Sequence, residues 1–150
     1  MKHIKTFENF LFESTFDGTA WHTSYNEIKT FRPIPSWFTA NPVFAKVYHD
    51  NTVDGSNAAY TYEVKISGNI LDQTAAKELA ESLGINFQDL ISDLTSNPTS
   101  IEKRKLIRPF IGKCDGFFHW DYDPTDGGDA ESVLVFDPSR KAKIIKQMNY

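Results

Sequence analysis

Tyr60, Tyr62, Val64 and Ile66 alternate with Thr61, Glu63 and Lys65, a strict period of two that a strand with one buried face satisfies. The period then changes. Ala76, Leu79, Ala80 and Leu83 form an apolar stripe at helical spacing, and Gly84 stands where a helix of that length ends. Asn86 is placed to cap a second helix, with Ile85 and Leu90 as its hydrophobic staple and Phe87, Leu90, Ile91 and Leu94 as its inner face. Thr99 and Glu102 make a capping box for a third helix, carrying Leu106, Ile107 and Phe110. Strand character returns at Asp115–Trp120, at Glu131–Phe136 and briefly at Ala142–Ile145. Another strand, Thr19–Ser24, stands ahead of Tyr60. A chain of strands interrupted over about 73–111 by helices predicts an α+β domain with a helical insertion.

Bulk properties narrow the function. With 150 residues, 40% of them hydrophobic and 14% aromatic, the chain is sized for one globular domain with a sizeable core. It holds no apolar run near the ~18 residues that a membrane span needs, so no membrane partner is expected. A net charge of −4 argues against a protein that coats nucleic acid, though a local basic contact stays open. Lys103-Arg104-Lys105 reads as a solvated helix face, with a phosphate or partner contact there as the lesser alternative. Cys114 is the only cysteine, which excludes an intrachain disulfide and a thiolate metal cluster and fits a reducing compartment. The acidic loop Asp121–Asp129 superficially resembles a calcium loop. Asp126 stands where the sixth-position glycine belongs and Ser132 where the bidentate glutamate belongs, so an EF-hand is rejected and no metal site is expected.

Phe38 to Asp50 reads as a strand end, a tight turn and a short helix, with Asn41 as N-cap and Pro42 at the first helical position. Phe44, Val47 and Tyr48 then share a helix face. The turn brings Phe38 and Tyr48 back towards each other, a pair able to clamp a flat ring, whereas read alone both are ordinary core residues. His22 ends the first strand and Glu131 opens a late one, directly after the acidic loop.

Taken in order, these pieces resemble the ADP-ribosyltransferase superfamily, in its His-Tyr-Glu branch that includes diphtheria toxin and the poly(ADP-ribose) polymerases. His22-Thr23-Ser24 is similar to the first family motif, although Thr23 replaces the usual glycine. Phe38-Thr39 followed by Ala45 and Tyr48 is similar to the second, and Glu131-Ser132-Val133-Leu134-Val135-Phe136 to the third. The resemblance covers roughly residues 18–146. It implies split, mostly antiparallel β-sheets packed around an NAD cleft, with NAD as co-substrate and transfer of ADP-ribose to a macromolecule. It further implies that Glu131 stabilises the ribosyl cation and bonds the ribose 2′-hydroxyl. His22 bonds a ribose hydroxyl, the Thr23 backbone holds the nicotinamide carboxamide, and Tyr48 with Phe38 stacks the nicotinamide. Ser24 and Thr39 complete the cofactor-binding set. The chemistry suits those residue types, because cleavage of the nicotinamide–ribose bond passes through an oxocarbenium-like state that a carboxylate stabilises.

Residues 1–13 form a short amphipathic segment with Ile4, Phe7, Phe10 and Leu11 on one side. It resembles the capsid-targeting leaders of internal head proteins in T-even-like phages, which a prohead protease removes after a Leu/Ile-x-Glu triplet. Leu11-Phe12-Glu13 before Ser14 matches, which implies a leader over 1–13 cleaved after Glu13 and a transferase-like domain over 14–150. The implied partners are the phage prohead scaffold and protease through residues 1–13, then a host protein acceptor, with nucleic acid as the other acceptor. The implied location is the virion interior, then the host cytoplasm. The rival readings are a non-catalytic NAD- or ADP-ribose-binding protein of the same fold and a structural internal head protein. RNA 2′-phosphotransferase chemistry ranks below both, since only Arg32 lies near the motifs.

Overall fold

The period-two run forms β3 (Tyr60–Gly68) in a computed structural model of the protein, which describes residues 15–53, 59–123 and 128–150, with 121–123 and 128–130 as backbone only. β1 (Phe16–Ser24) runs antiparallel along one edge of it, placing Ala20 opposite Val64 and His22 opposite Tyr62. β7 (Ala142–Gln147) takes the other edge. The remaining strands are β2 (Ser36–Thr39), β4 (Ile70–Leu71), β5 (Gly116–Asp123) and β6 (Gly128–Val135). Together they make a seven-stranded sheet in the order β4-β5-β6-β2-β1-β3-β7, antiparallel throughout except where β4 meets β5.

The fold class is therefore α+β, as the change of period predicts, but the expected two sheets are hydrogen-bonded into one. β2 is the physical reason. It pairs with β6 over its whole length, from Ser36↔Val135 to Thr39↔Ser132, and with β1 at the single position Trp21↔Thr39. Wide ladders thus meet at a narrow seam. The sheet also curls. Phe16 of β1 and Phe118 of β5 come edge to face with ring centroids 5.0 Å apart, and Asn69 alone separates β3 from β4. Inside the curl, alternation gathers Ala20, Phe38, Tyr62, Val64, Ile66, Val133 and Val135 into one buried cluster. Gly116 starts β5 at a spot where a Cβ would lie 2.0 Å from the Leu134 carbonyl oxygen, so the strands approach only because the residue is glycine.

Helices cover the outer face of the curl. α1 (Pro42–Thr52) starts as the sequence predicts, the Asn41 side chain accepting from the Val43 N–H at 2.9 Å with Pro42 in the first turn. It buries Phe44 and Ala45 and leaves Tyr48 38% exposed. A hydroxyl chain anchors it, because His49 Nδ1 and Thr23 Oγ1 each lie 2.8 Å from Thr61 Oγ1.

The insertion comprises α2 (Gln73–Ser82), α3 (Phe87–Thr95) and α4 (Ser100–Ile107), which tightens into a 3₁₀ turn at Arg108–Phe110. Their inner faces carry Leu79, Leu90, Ile91, Leu94, Ile107 and Phe110, packed on Phe117, Leu134 and Phe136. Each cap is satisfied. Asp72 accepts from Ala75, Asn86 accepts from Asp89, and Thr99 and Glu102 complete the predicted capping box. Gly84 takes the left-handed conformation (φ 74°) after α2, where the orphan carbonyls need a turn. A four-residue helix, α5 (Pro138–Lys141), leads into β7.

The acidic segment expected to be a loop over 121–129 is largely a continued hairpin, its ladder running out to Asp123↔Gly128. Glu131 consequently sits inside β6 opposite Trp120 rather than opening the strand. The expected leader over 1–13 with its junction at Ser14, and the centre of the calcium-loop comparison at 124–127, lie outside the described residues. Among the described residues no helix is long and apolar enough to cross a membrane.

Candidate functional site

The seam between β1 and β2 is where the backbone runs short of partners. Past Trp21↔Thr39 the two strands part, and residues 22–24 pair only with β3. A side chain fills the gap. His22 Nδ1 lies 2.8 Å from the Trp37 carbonyl oxygen. A carbonyl only accepts, so Nδ1 carries the proton and Nε2 remains a bare acceptor. The ring packs against Phe38 (centroids 5.2 Å) and Phe31 (5.7 Å). Burial in this apolar box pushes the imidazole below its ordinary pKa; the Trp37 carbonyl opposes that shift and the Lys103 charge reinforces it. His22 is a neutral, fixed-tautomer acceptor.

Above the seam, on the helical face, lies a cleft of about 550 Å³. Its floor is Trp21, Trp37, Thr39 and Ser132, set by the β1–β2 and β2–β6 registers. One wall is α1, through Tyr48 and Thr52. The opposite wall is the insertion, through the end of α3, Asn97, Pro98 and Lys103. Asn97 bends this wall with a left-handed backbone (φ 56°), a conformation its short polar side chain tolerates. Among the described residues that line it there is no Asp or Glu.

The structure brings His22, Thr23, Phe38, Thr39 and Tyr48 to this one cleft. Ser24 borders an adjoining concavity instead, which shares His22 and Ser36 with the cleft. Phe38 lines the same cleft as Tyr48, but it is only 2% exposed, opposite Val133, with its ring packed against His22 and Phe31. Trp21 and Trp37 line the same cleft. Thr23 spends its hydroxyl on Thr61.

Glu131 is half-buried but absent from the cleft wall, where its strand neighbour Ser132 stands. Its backbone carbonyl accepts from the Ala40 N–H at 2.9 Å, fastening β6 to the turn that launches α1. Desolvation raises its carboxyl above the ordinary range, so its ionised form is the costly one.

Sequence reasoning missed Lys103, Trp21 and Trp37 as cleft residues. A signal existed for Lys103, which stands four residues before the buried Ile107 and so on the inner side of α4. Of the basic run, Arg104 donates to the Pro33 carbonyl at 3.2 Å and Lys105 is exposed, as a solvated face requires; Lys103 is half-buried. Cys114 belongs to the insertion core, its thiol pushed up to about 12 by burial, which suits packing rather than nucleophilic attack. Among the described residues no group of three His, Cys, Asp or Glu is placed to hold a metal ion.

The fold and the cleft define an α+β protein with a pocket at a sheet seam that shows a lysine and no acid among the described residues. In comparisons with known proteins the chain matches no family model, no curated protein and no solved structure.

Proposed function

We propose that the protein is an NAD-dependent ADP-ribosyltransferase of the His-Tyr-Glu type, with the curled sheet as a bridged form of the split-sheet fold. The observation that carries this reading is the meeting of His22 and Tyr48 in one cleft. They come from a strand end and a helix separated by the β2 turn, with the β6 strand of Glu131 fastened beside that turn. Neutral His22 offers Nε2 to a ribose hydroxyl. Tyr48 stacks the nicotinamide against the indole floor, and the backbone at Thr23 holds the carboxamide. Glu131 stabilises positive charge on the ribose as the C1′–nicotinamide bond breaks. The electron pair leaves with nicotinamide, and the acceptor nucleophile forms the new bond at C1′ and sheds its proton. A carboxylate already destabilised by desolvation is suited to a cationic transition state, since meeting the cation relieves that cost. The acceptor is a host protein, and the enzyme is carried in a phage head through its leader.

The position of Glu131 outside the cleft wall favours a second reading, a protein of the same fold that binds NAD or ADP-ribose without cleaving it. Incubation of the full chain with adenylate-labelled NAD and bacterial lysate separates the two. Label that becomes covalently attached and is freed by protease identifies a protein acceptor; label freed by nuclease identifies a nucleic-acid acceptor. Retention of intact NAD with no attached label rejects the transferase in favour of the binder.

A further inference from the structure

The cleft wall contributed by the insertion has its own chemistry. Lys103 lies on the inner side of α4, where the spacing to Ile107 calls for an apolar residue, and it lines the cleft half-buried. Among the described residues no carboxylate lines that cleft and no ion pair joins Lys103 to one. Its neighbours in sequence are otherwise engaged or solvated, so the cation is placed by the helix rather than shared along a basic face. The packing beneath the cleft is also short of acceptors. The indole N–H groups of Trp21 and Trp37, both cleft residues, are buried without a hydrogen-bond partner. Buried donors normally find an acceptor, and a half-buried ammonium normally finds a counter-charge. A pocket that among the described residues holds a half-buried cation and no acid suits an oxygen-rich anion, and its volume of about 550 Å³ exceeds what a lone ion requires.

We propose that Lys103 is the anion-binding residue of the cleft, which makes the helical insertion part of the binding site and selects a ligand of the nucleoside-diphosphate class. The inference deepens the reading above, resting on the same cleft, but it needs only binding and no bond cleavage. Lys103 and His22 line the same cleft, and beyond the dominant desolvation the Lys103 charge also acts on the His22 imidazole, so one ligand can meet both.

Isothermal titration of the full chain with ADP, inorganic pyrophosphate and adenosine, at low ionic strength, tests it. Lys103→Met keeps the apolar stem and removes the charge, Lys103→Arg keeps the charge, and Lys105→Met controls for diffuse electrostatics. Loss of a charge-assisted contact predicts roughly 10- to 100-fold weaker ADP and pyrophosphate binding in Lys103→Met, with adenosine unaffected. Lys103→Arg is expected to retain most of the affinity and Lys105→Met all of it. Circular dichroism and a urea titration establish that each variant is folded. Equal weakening by Lys105→Met, unchanged binding in a folded Lys103→Met, or no binding of either phosphate compound by the wild type overturns the proposal. Lys103-dependent ADP binding without nicotinamide release sustains it while removing the transferase reading.

Discussion

The helical insertion and the β1–β2 seam are built by opposite rules. In the insertion each helix is capped by the residue that the sequence offers, the apolar stripes meet one buried cluster, and Gly84 takes the turn that only glycine takes easily. At the seam a ladder narrows to one pair, a histidine side chain replaces a strand partner, two indole donors go unpaired and a glutamate is partly desolvated. Proteins keep such local violations where function needs them and offset the cost elsewhere. The difference separates a region whose local rules are all met from one where several are broken, and it can be broken experimentally from either side.

The largest effect belongs to the insertion core. Phe117 is fully buried and meets Phe87, Phe110, Phe136 and Trp37 at centroid distances of 5.5–6.5 Å. Phe117→Ala is expected to cost about 3–5 kcal/mol, read as a fall in the urea midpoint. A loss below about 1 kcal/mol would remove the insertion's role as stabiliser.

Next comes a cap. Asn86→Ala deletes the acceptor for the Asp89 N–H and is expected to cost about 1 kcal/mol in the same titration, with ligand binding unchanged.

His22 gives a smaller effect with a pH signature. Its folded pKa lies below the unfolded value of about 6.5, so the unfolded chain binds a proton that the folded one refuses. This contribution to stability is full above about pH 6.5 and is lost as the pH falls through that value towards the folded pKa. In His22→Asn that part of the pH dependence should vanish, and an unaltered stability–pH curve between 5 and 7 would show that His22 is not held neutral.

Smallest of all is Glu131→Gln. The folded pKa is raised by desolvation, so ionising Glu131 above its unfolded pKa removes stability rather than adding it. The variant should be as stable as the wild type at neutral pH or slightly more so, despite the expected loss of catalysis. Thermal denaturation at pH 7 measures this, and clear destabilisation would recast Glu131 as a structural residue.

Legibility in the sequence follows the same division. Strand periodicity, the Asn41, Asn86 and Thr99 caps and the Gly84 stop are local signals, and each appears where the residues predict it. The single sheet was not legible, because β2 is a four-residue strand whose bridging role depends on pairing far along the chain with β6. Phe38 and Tyr48 do line one cleft, but the packing of the Phe38 ring against His22 and Phe31 depends on strand pairing that their separation alone does not carry. Glu131 was read at a strand opening because the glycines and acids before it look like loop; the hairpin ladder extends through them to Asp123↔Gly128. Lys103 was hidden by its basic neighbours, although its spacing to Ile107 carried the information.

Nicotinamide release from NAD by the full chain, with and without bacterial lysate, run beside Glu131→Gln, tests the central claim most directly. The account predicts release by the wild type that falls at least about a hundredfold in the equally stable variant, the scale expected when one preorganised transition-state contact is removed. Lysate dependence of that release would mark a specific acceptor. Release that is equal in both proteins, or absent in both under every condition, would contradict it and leave the cleft as a binding site.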